Sequence, residues 1–494
     1  MRKTLLITLL SVCYLQVLCA TGYVKPPVNF HQYTLTEERS SAVLPEKYDS
    51  RDLGIVLPAR DQLINGTCWA FSNADALQSL FYKKGLACGY LSPQAFATCF
   101  TGFLRQPITE GGNQQMAGSL IARLEGIVTE KGLPYDYTQT SCQTYDKKDT
   151  PAYSLGWIYL PEDNQAEIKK AIMEYGSVTC SFYYHISYFQ HENNLYEYTG
   201  KEEPNHGVSL IGWDDQKGAW LAKNTWGERA YDNGFMWISY KDSQVSKTCV
   251  AYTDMTDTQT IDHVYHYNTV GMVSSFGTAE TNTYIRAIVQ HHIPSKQQLQ
   301  YIGTYCISPN TKVFYSVWTD TEDLFQSEEI VLPYTGFYKY SLPSPLEVEG
   351  DVYISVTYSS TENSFVIPIE ANYKDYCSVA LTPNAQWVTF EGSEDFQEFG
   401  NDNYPYNLCI YAYTKDLTTT SVNESDATYT LWDGQQLHTS VWDEAKEILL
   451  YSIDGQKVCS LNKGDTGLPP VLPGIYLLQI INQDGRIYTE KIKR

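Results

Sequence analysis

From residue 262 to residue 415 the chain carries almost no helical repeat. Apolar residues come in short alternating runs, such as Val313-Phe-Tyr-Ser-Val-Trp318 and Asp351-Val-Tyr-Ile-Ser-Val-Thr-Tyr358, separated by turn residues. A period of two is what a strand with one buried face requires, and a stretch this long predicts an antiparallel β-sandwich. The preceding region reads differently. From Cys68 to Lys84 apolar residues recur at helical spacing, at Trp69, Phe71, Ala74, Ala76, Leu77, Leu80 and Phe81. Helices are also expected over 114–125 and 165–174, and short strands over 177–183, 207–213, 218–223 and 234–240. The texture changes near Met255-Thr-Asp-Thr-Gln-Thr-Ile261, which marks a domain boundary. Residues 416–427 read as a polar linker. Residues 428–494 alternate again, with strands expected near 428–432, 447–452 and 475–481 and hairpin turns at Asp454-Gly455 and Asp484-Gly485.

With 494 residues, two to four domains are expected. A net charge of −22 argues against binding to nucleic acid or an anionic membrane. At the start, Arg2 and Lys3 precede an apolar run from Leu5 to Leu18 and then Cys19-Ala20, the pattern of a signal peptide over 1–20. Val17-Leu18 lacks the small residues that a lipid anchor on Cys19 would favour. No later apolar stretch is long enough to span a bilayer, so a secreted or surface-attached protein is expected. Residues 21–43 form a short polar arm. Of the twelve cysteines, Cys13 and Cys19 lie in the leader. The other ten are scattered without a C-x-x-C pair, so no metal site is expected, and most should be paired or buried in an oxidising compartment.

The chemistry centres on Cys68. A thiolate attacks a carbonyl, and a helix N-terminus or a neighbouring imidazolium lowers a thiol pKa. Cys68 stands where the first helix should begin, after an Asn65-Gly66-Thr67 turn with Thr67 as the expected N-cap. The best-placed histidine is His206, at the start of the strand in Asn205-His206-Gly207-Val208-Ser209. Asn224, in Asn224-Thr225-Trp226-Gly227, is suited to accept a hydrogen bond from that imidazole, and Trp226 to shield the bond from water. Gln62, six residues before Cys68, offers an amide to a developing oxyanion alongside the Cys68 backbone N–H.

Together, Gln62, Gly66-Thr67-Cys68-Trp69-Ala70-Phe71, Asn205-His206-Gly207 and Asn224-Thr225-Trp226-Gly227 resemble the papain-like cysteine peptidases over residues 44–256. The resemblance implies an α+β, two-lobed catalytic domain acting on protein or peptide substrates, with no cofactor. It implies a Cys99–Cys142 disulfide, from Leu91-Ser92-Pro93-Gln94 before Cys99 and Pro134-Tyr135 before Cys142. It also implies that Gly111-Gly112 binds the substrate main chain. The pocket for the second residue before the scissile bond would draw on Asn113, Gln114, Ser181, Pro204, Gly207 and Asp254, and a carboxylate there would favour a basic substrate residue. Two features depart from the family. The cysteine usual three residues before the nucleophile is replaced by Asn65, and the long helical pro-segment is missing.

Residues 262–415 resemble the lectin-like sandwich that follows some bacterial papain-like domains, which suggests a glycan or cell-surface ligand. Val471-Leu-Pro-Gly-Ile-Tyr-Leu477 and the Lys491-Ile-Lys-Arg494 ending resemble the type A sorting domain of the type IX secretion system of Bacteroidota, which would make that machinery a partner. Such bacteria lack the glycosylation that Asn65-Gly66-Thr67 would otherwise invite, so that triplet reads as catalytic-loop geometry. Two rivals stand beside a working peptidase. One is a catalytically degenerate adhesin or glycan binder, and the other is a Cys/His cell-wall amidase.

Overall fold

The computed structural model describes residues 22–33, 35, 43–393 and 395–417, and from 445 onward 445–452, 456–462, 465, 468, 475–482 and 487–493. The expected signal peptide, most of the linker, the strand near 428–432, both Asp-Gly turns and Val471–Gly474 lie outside these residues.

The first half has two lobes. One is helical. Its central helix α1 (Cys68–Lys83) is buried from Cys68 to Phe81, because apolar residues on one side meet Ala and Ser side chains that let neighbours approach on the other. Helices α2 (Pro93–Thr98) and α3 (Gln114–Ala122) pack against it. Helix α3 stops three residues before the expected end, where Leu124 takes a left-handed φ of 63°. The other lobe is a sheet. Its central strand β1 (His206–Asp214) pairs with Val178–Phe182 and with β2 (Ala219–Lys223), which pairs in turn with β3 (Phe235–Ser239). Helix α4 (Gln165–Tyr175) lies against it, and its core holds Val178, Val208, Leu210, Trp213, Trp220 and Met236. The observed strand limits fall within a residue of those expected.

The second half is a sandwich built on two strands far longer than the short runs suggested. Strand β4 (Ile285–Cys306) has 22 residues, and β6 (Gly336–Ser359) has 24. They pair antiparallel along most of their length, interrupted by bulges at Ile293/Gln297 and Leu299/Tyr301. The bulges bend the strands and break the alternation, which is why the sequence read as separate pieces. Strand β5 (Thr311–Thr319) pairs with β6 on its outer edge.

The two halves share a core. Trp69, Leu77, Met116 and Leu120 of the helical lobe belong to one cluster with Tyr305, Phe337, Tyr411 and Tyr413 of the sandwich. Trp157 stacks on Phe337 with ring centroids 4.5 Å apart, and Phe337 is also its strand-register partner. The C-terminal unit, residues 417–494, is a separate compact body. Its four described strands, Lys457–Leu461, Ala445–Ser452, Ile475–Asn482 and Ile487–Lys493, form one antiparallel sheet in that order over Ile448, Leu450, Leu478, Ile480 and Ile492.

Candidate active site

Cys68, the candidate nucleophile, is delivered by the helical lobe. Thr67 holds the N-cap position of α1 but does not cap it. Its hydroxyl bonds the Tyr135 hydroxyl instead, at 2.9 Å. The first N–H groups of the helix are therefore left to serve Cys68, and the backbone N–H groups of Trp69 and Cys68 itself stabilise its charged form. The N–H of Gly207, from the opposite lobe, donates to Cys68 Sγ at 3.3 Å.

His206, the candidate base, is delivered by the sheet lobe. His206 Nε2 donates to Asn224 Oδ1 at 2.8 Å. That oxygen also accepts the Thr225 N–H at 2.7 Å, and Asn224 Nδ2 reaches Met236 Sδ at 3.4 Å, so the amide has one orientation. The Trp226 indole stacks on the His206 ring at 4.3 Å and 19°. With Nε2 so committed, the acceptor nitrogen of the imidazole is Nδ1, which is buried and has no partner among the described residues. Gln62 is fully buried. Its Nε2 donates to Asn65 O at 2.7 Å, and its Oε1 accepts the Thr225 hydroxyl, which ties it to the Asn224 loop. Asn65 Nδ2, the atom a glycan would use, donates to Tyr137 O at 2.6 Å.

The glycine pair is required sterically. A Cβ on Gly112 would lie 2.5 Å from the Trp69 indole, and Gly111 has a φ of +88°. Main chain does run along this pair, and it is the chain's own. Gly112 N–H donates to Gly22 O at 3.0 Å, and Val24 N–H donates to Gly112 O at 2.9 Å. The N–H groups of Gly22 and Tyr23 both donate to Asn205 O. Tyr23 and Gly112 face each other as a parallel bridge. Gly22 is level with the nucleophile, since a Cβ on it would fall 2.6 Å from both Cys68 Sγ and Gly66 O. Beyond Val24 the arm is pinned by Lys25–Glu203 at 2.9 Å, by Asn29 Nδ2 donating to Glu162, by buried Phe30, and by His31 Nδ1 donating to Leu160 O at 2.8 Å. Nothing in the polar spelling of 21–43 signals this docking, because its main bonds are made by backbone.

The arm sets the electrostatics. Cys68 is fully buried beneath it, and burial pushes the thiol up to about 12 against the pull of the four N–H groups around it. Burial likewise lowers His206 to about 4, opposed by its bond to Asn224. Covered in this way, the pair rests as thiol and neutral imidazole.

Asp254 does not meet its expectation. Its carboxylate lies 2.9 Å from Lys339 Nζ on β6 and accepts the Leu155 N–H at 3.0 Å and the Thr256 hydroxyl at 2.6 Å. The chain turns toward the sandwich after Val250–Tyr252, so this carboxylate is spent on the junction between the halves. Gln114 Nε2 and Ser181 Oγ do come together, at 3.3 Å. Burial, and after it the neighbouring Tyr159, Glu203 and Cys180, raises the pKa of the Tyr23 hydroxyl. Cys99 and Cys142 are joined as a disulfide.

The papain family cysteine proteases match residues 44–258, and the lectin-like domain family matches residues 264–414. The chain carries a papain-like cysteine peptidase domain. It is 30% identical over 221 residues to mouse (Mus musculus) cathepsin K, 44% of this chain and 66% of that one. It is 31% identical over 199 residues to cathepsin L of Sarcophaga peregrina, 39% of this chain and 58% of that one. The chain thus spans a little under two thirds of the length of these relatives. The cysteine protease and lectin-like domains of Cwp84, a surface layer associated protein of Clostridium difficile, share the fold across both halves. The TM-score is 0.67 at 22% identity, covering 83% of this chain and 96% of that one. The papain-like domain is therefore followed by a β-rich lectin-like domain.

Proposed function

We propose that this protein is an exported cysteine endopeptidase that is held inactive by its own N-terminal arm. One observation carries the reading. His206 is clamped between Trp226 and Asn224 with only Nδ1 left to act, across the lobe boundary from a cysteine whose sulfur is already served by N–H donors. Once the arm leaves, His206 Nδ1 takes the Cys68 proton, and the thiolate attacks a peptide carbonyl seated along Gly111-Gly112. The Cys68 N–H and Gln62 Nε2 receive the oxyanion. The imidazolium then protonates the leaving amine, and water resolves the thioester. The arm is not cut, because its parallel course on Gly112 reverses the direction a cleavable substrate would take. Trp226 also lines a hollow of about 830 Å³ with Leu63, Ile64, Phe189 and Tyr231, a site for the departing half of the substrate.

The apolar run Leu5–Leu18 after Arg2-Lys3 and the Val471-Leu-Pro-Gly-Ile-Tyr-Leu477 pattern support export through the type IX route. Among the described residues no helix is long and apolar enough to cross a membrane. The lectin-like domain offers a hollow of about 850 Å³ lined by Arg286, Phe314, Trp318, Asp323 and Phe325, aromatic faces beside hydrogen-bonding groups that suit a sugar.

The test is an epoxide thiol inhibitor applied to a Gly22→Ala chain, in which the arm cannot seat. Mass added at Cys68 and internal cleavage of a denatured protein support the proposal. No labelling and no cleavage would leave a binding protein, and cleavage confined to cell-wall stem peptides would leave an amidase.

A further inference from the structure

We infer that Tyr376, a residue of the lectin-like domain, is a positioning residue of the peptidase groove. It holds the Asn113 side chain so that its amide donates to the main chain of an extended substrate. This rests on the peptidase reading and adds to it a contribution from the second domain. Asn113 follows the glycine pair and is fully buried. Its Oδ1 caps α3 by accepting the Met116 N–H at 2.9 Å. Its Nδ2 donates at 3.1 Å to the Tyr376 hydroxyl and at 2.8 Å to the carbonyl of Val24 in the arm. An amide has two N–H bonds. One is fixed by the helix cap and the tyrosine, and the other points into the groove, where it meets the peptide carbonyl of Val24. Because Gly22 is level with Cys68 and Tyr23 faces Gly112, Val24 lies past the position opposite Gly112, on the side of the groove leading away from the scissile bond. A substrate runs opposite to the arm, but in an extended chain of either direction every second residue turns its carbonyl to this side, so a substrate reaching that far presents one there and a shorter one does not.

Tyr376 is built to hold this position. It is 5% exposed. Its ring meets Phe103 edge-on at 5.4 Å, Phe103 meets Phe100 at 5.4 Å, and Phe100 meets Trp69, the neighbour of the nucleophile, at 5.5 Å. Its backbone carbonyl accepts the Leu104 N–H at 2.9 Å, and Ser378 N–H donates to Gly102 O at 2.8 Å, so the sandwich loop and the groove loop are laced together. The sandwich thereby completes the groove wall.

The experiment uses the full chain carrying Gly22→Ala and two fluorogenic substrates with the same residues next to the scissile bond. One has two residues before that bond and the other has four. Tyr376→Phe should raise KM for the longer substrate about 5-fold, the effect of loosening one neutral hydrogen bond, with kcat and the shorter substrate unchanged. Asn113→Asp keeps the helix cap and removes the donor, and it should raise KM for the longer substrate by more than for the shorter one. The double variant should lose no more than the Asn113 variant. Equal losses on both substrates would make Tyr376 a structural prop and overturn the inference, as would no loss on either. If the Gly22→Ala chain cleaves neither substrate, the peptidase reading fails on its own. The inference is then read from the affinity of a labelled four-residue peptide, which Tyr376→Phe must weaken relative to a two-residue one for it to stand.

Discussion

At the scale of the residue, each side chain proposed for catalysis has its orientation set by a partner with no proposed part in the chemistry. Asn224 holds one tautomer of His206, Trp226 covers that bond, and Thr225 anchors Gln62. Cys68→Ala should abolish turnover and leave the fold intact. Asn224→Ala should leave a partly active enzyme, because the ring keeps its stacking partner. Gln62→Ala should lower kcat on the order of 10²-fold, the usual loss of one oxyanion donor. Steady-state kinetics in the Gly22→Ala background check all three, and turnover near wild type in the Cys68 variant would refute the assignment. Asp254→Ala should leave the choice between Arg and Leu at the second substrate position unchanged. It should instead destabilise the protein by about 1–3 kcal/mol, because Lys339 is left largely buried without its carboxylate. Paired dipeptide substrates and a thermal melt separate these effects.

At the scale of the element, the arm is a strand borrowed from outside the domain. It fills the groove with backbone hydrogen bonds and a single glycine at the point of closest approach. A methyl group at that glycine collides with the Gly66 backbone, so Gly22→Ala should raise the rate of hydrolysis by the intact chain; no increase would mean the arm does not inhibit. The arm also carries a titrating pin. Burial lowers the docked His31 to about 4, only partly opposed by the Leu160 carbonyl and by Glu162, with the Tyr159 ring edge beside it. A free arm has an ordinary histidine near 6.5. The released state therefore binds the extra proton, and docking weakens as pH falls from about 6.5 to 4, by roughly 10²-fold in the docking equilibrium. The activity of the wild-type chain relative to Gly22→Ala should rise across this window. In His31→Phe, which keeps the ring packing and cannot titrate, that ratio should stay flat.

At the scale of the whole molecule, the peptidase and lectin-like domains are cooperative because they share apolar surface. The Trp157, Phe337 and Tyr305 rings pack against one another, and Tyr413 reaches from the sandwich to donate to Ala122 O at 2.8 Å. Residues 44–258 expressed alone would expose this surface and should aggregate or unfold, whereas the chain through residue 416 should unfold in one transition seen alike by fluorescence and circular dichroism. Acid acts on the same body. Burial lowers His206 and His266 to about 4 and His291 to about 3. Below pH 6.5 the unfolded chain takes up protons that the folded chain refuses, so stability is full above 6.5 and falls as pH drops toward 4. The urea midpoint should be lower at pH 4.5 than at pH 7, and an unchanged midpoint would contradict the buried, neutral state of these rings.

The sequence by itself determined what depends on neighbours along the chain. Helical spacing placed α1 and put Cys68 at its start, a strand start presented His206, the Asn224-Thr-Trp226 spelling supplied its partners, and the change of period near residue 256 separated the two textures. Each is a short-range signal; Cys68 does start a helix, His206 does start a strand, and its ring does meet Asn224 and Trp226. Only the tertiary structure decided contacts between residues far apart in the chain. Asp254 read as a pocket residue because local pattern does not reveal Lys339. The two long strands read as fragments because bulges interrupt the alternation. Residues 21–43 read as a polar spacer because the bonds that seat Gly22–Val24 are made by main chain, which any sequence supplies. Asn113 was legible as a groove position, but its tie to Tyr376 spans 263 positions. Such a contact exists only once two separately readable domains have closed around one core.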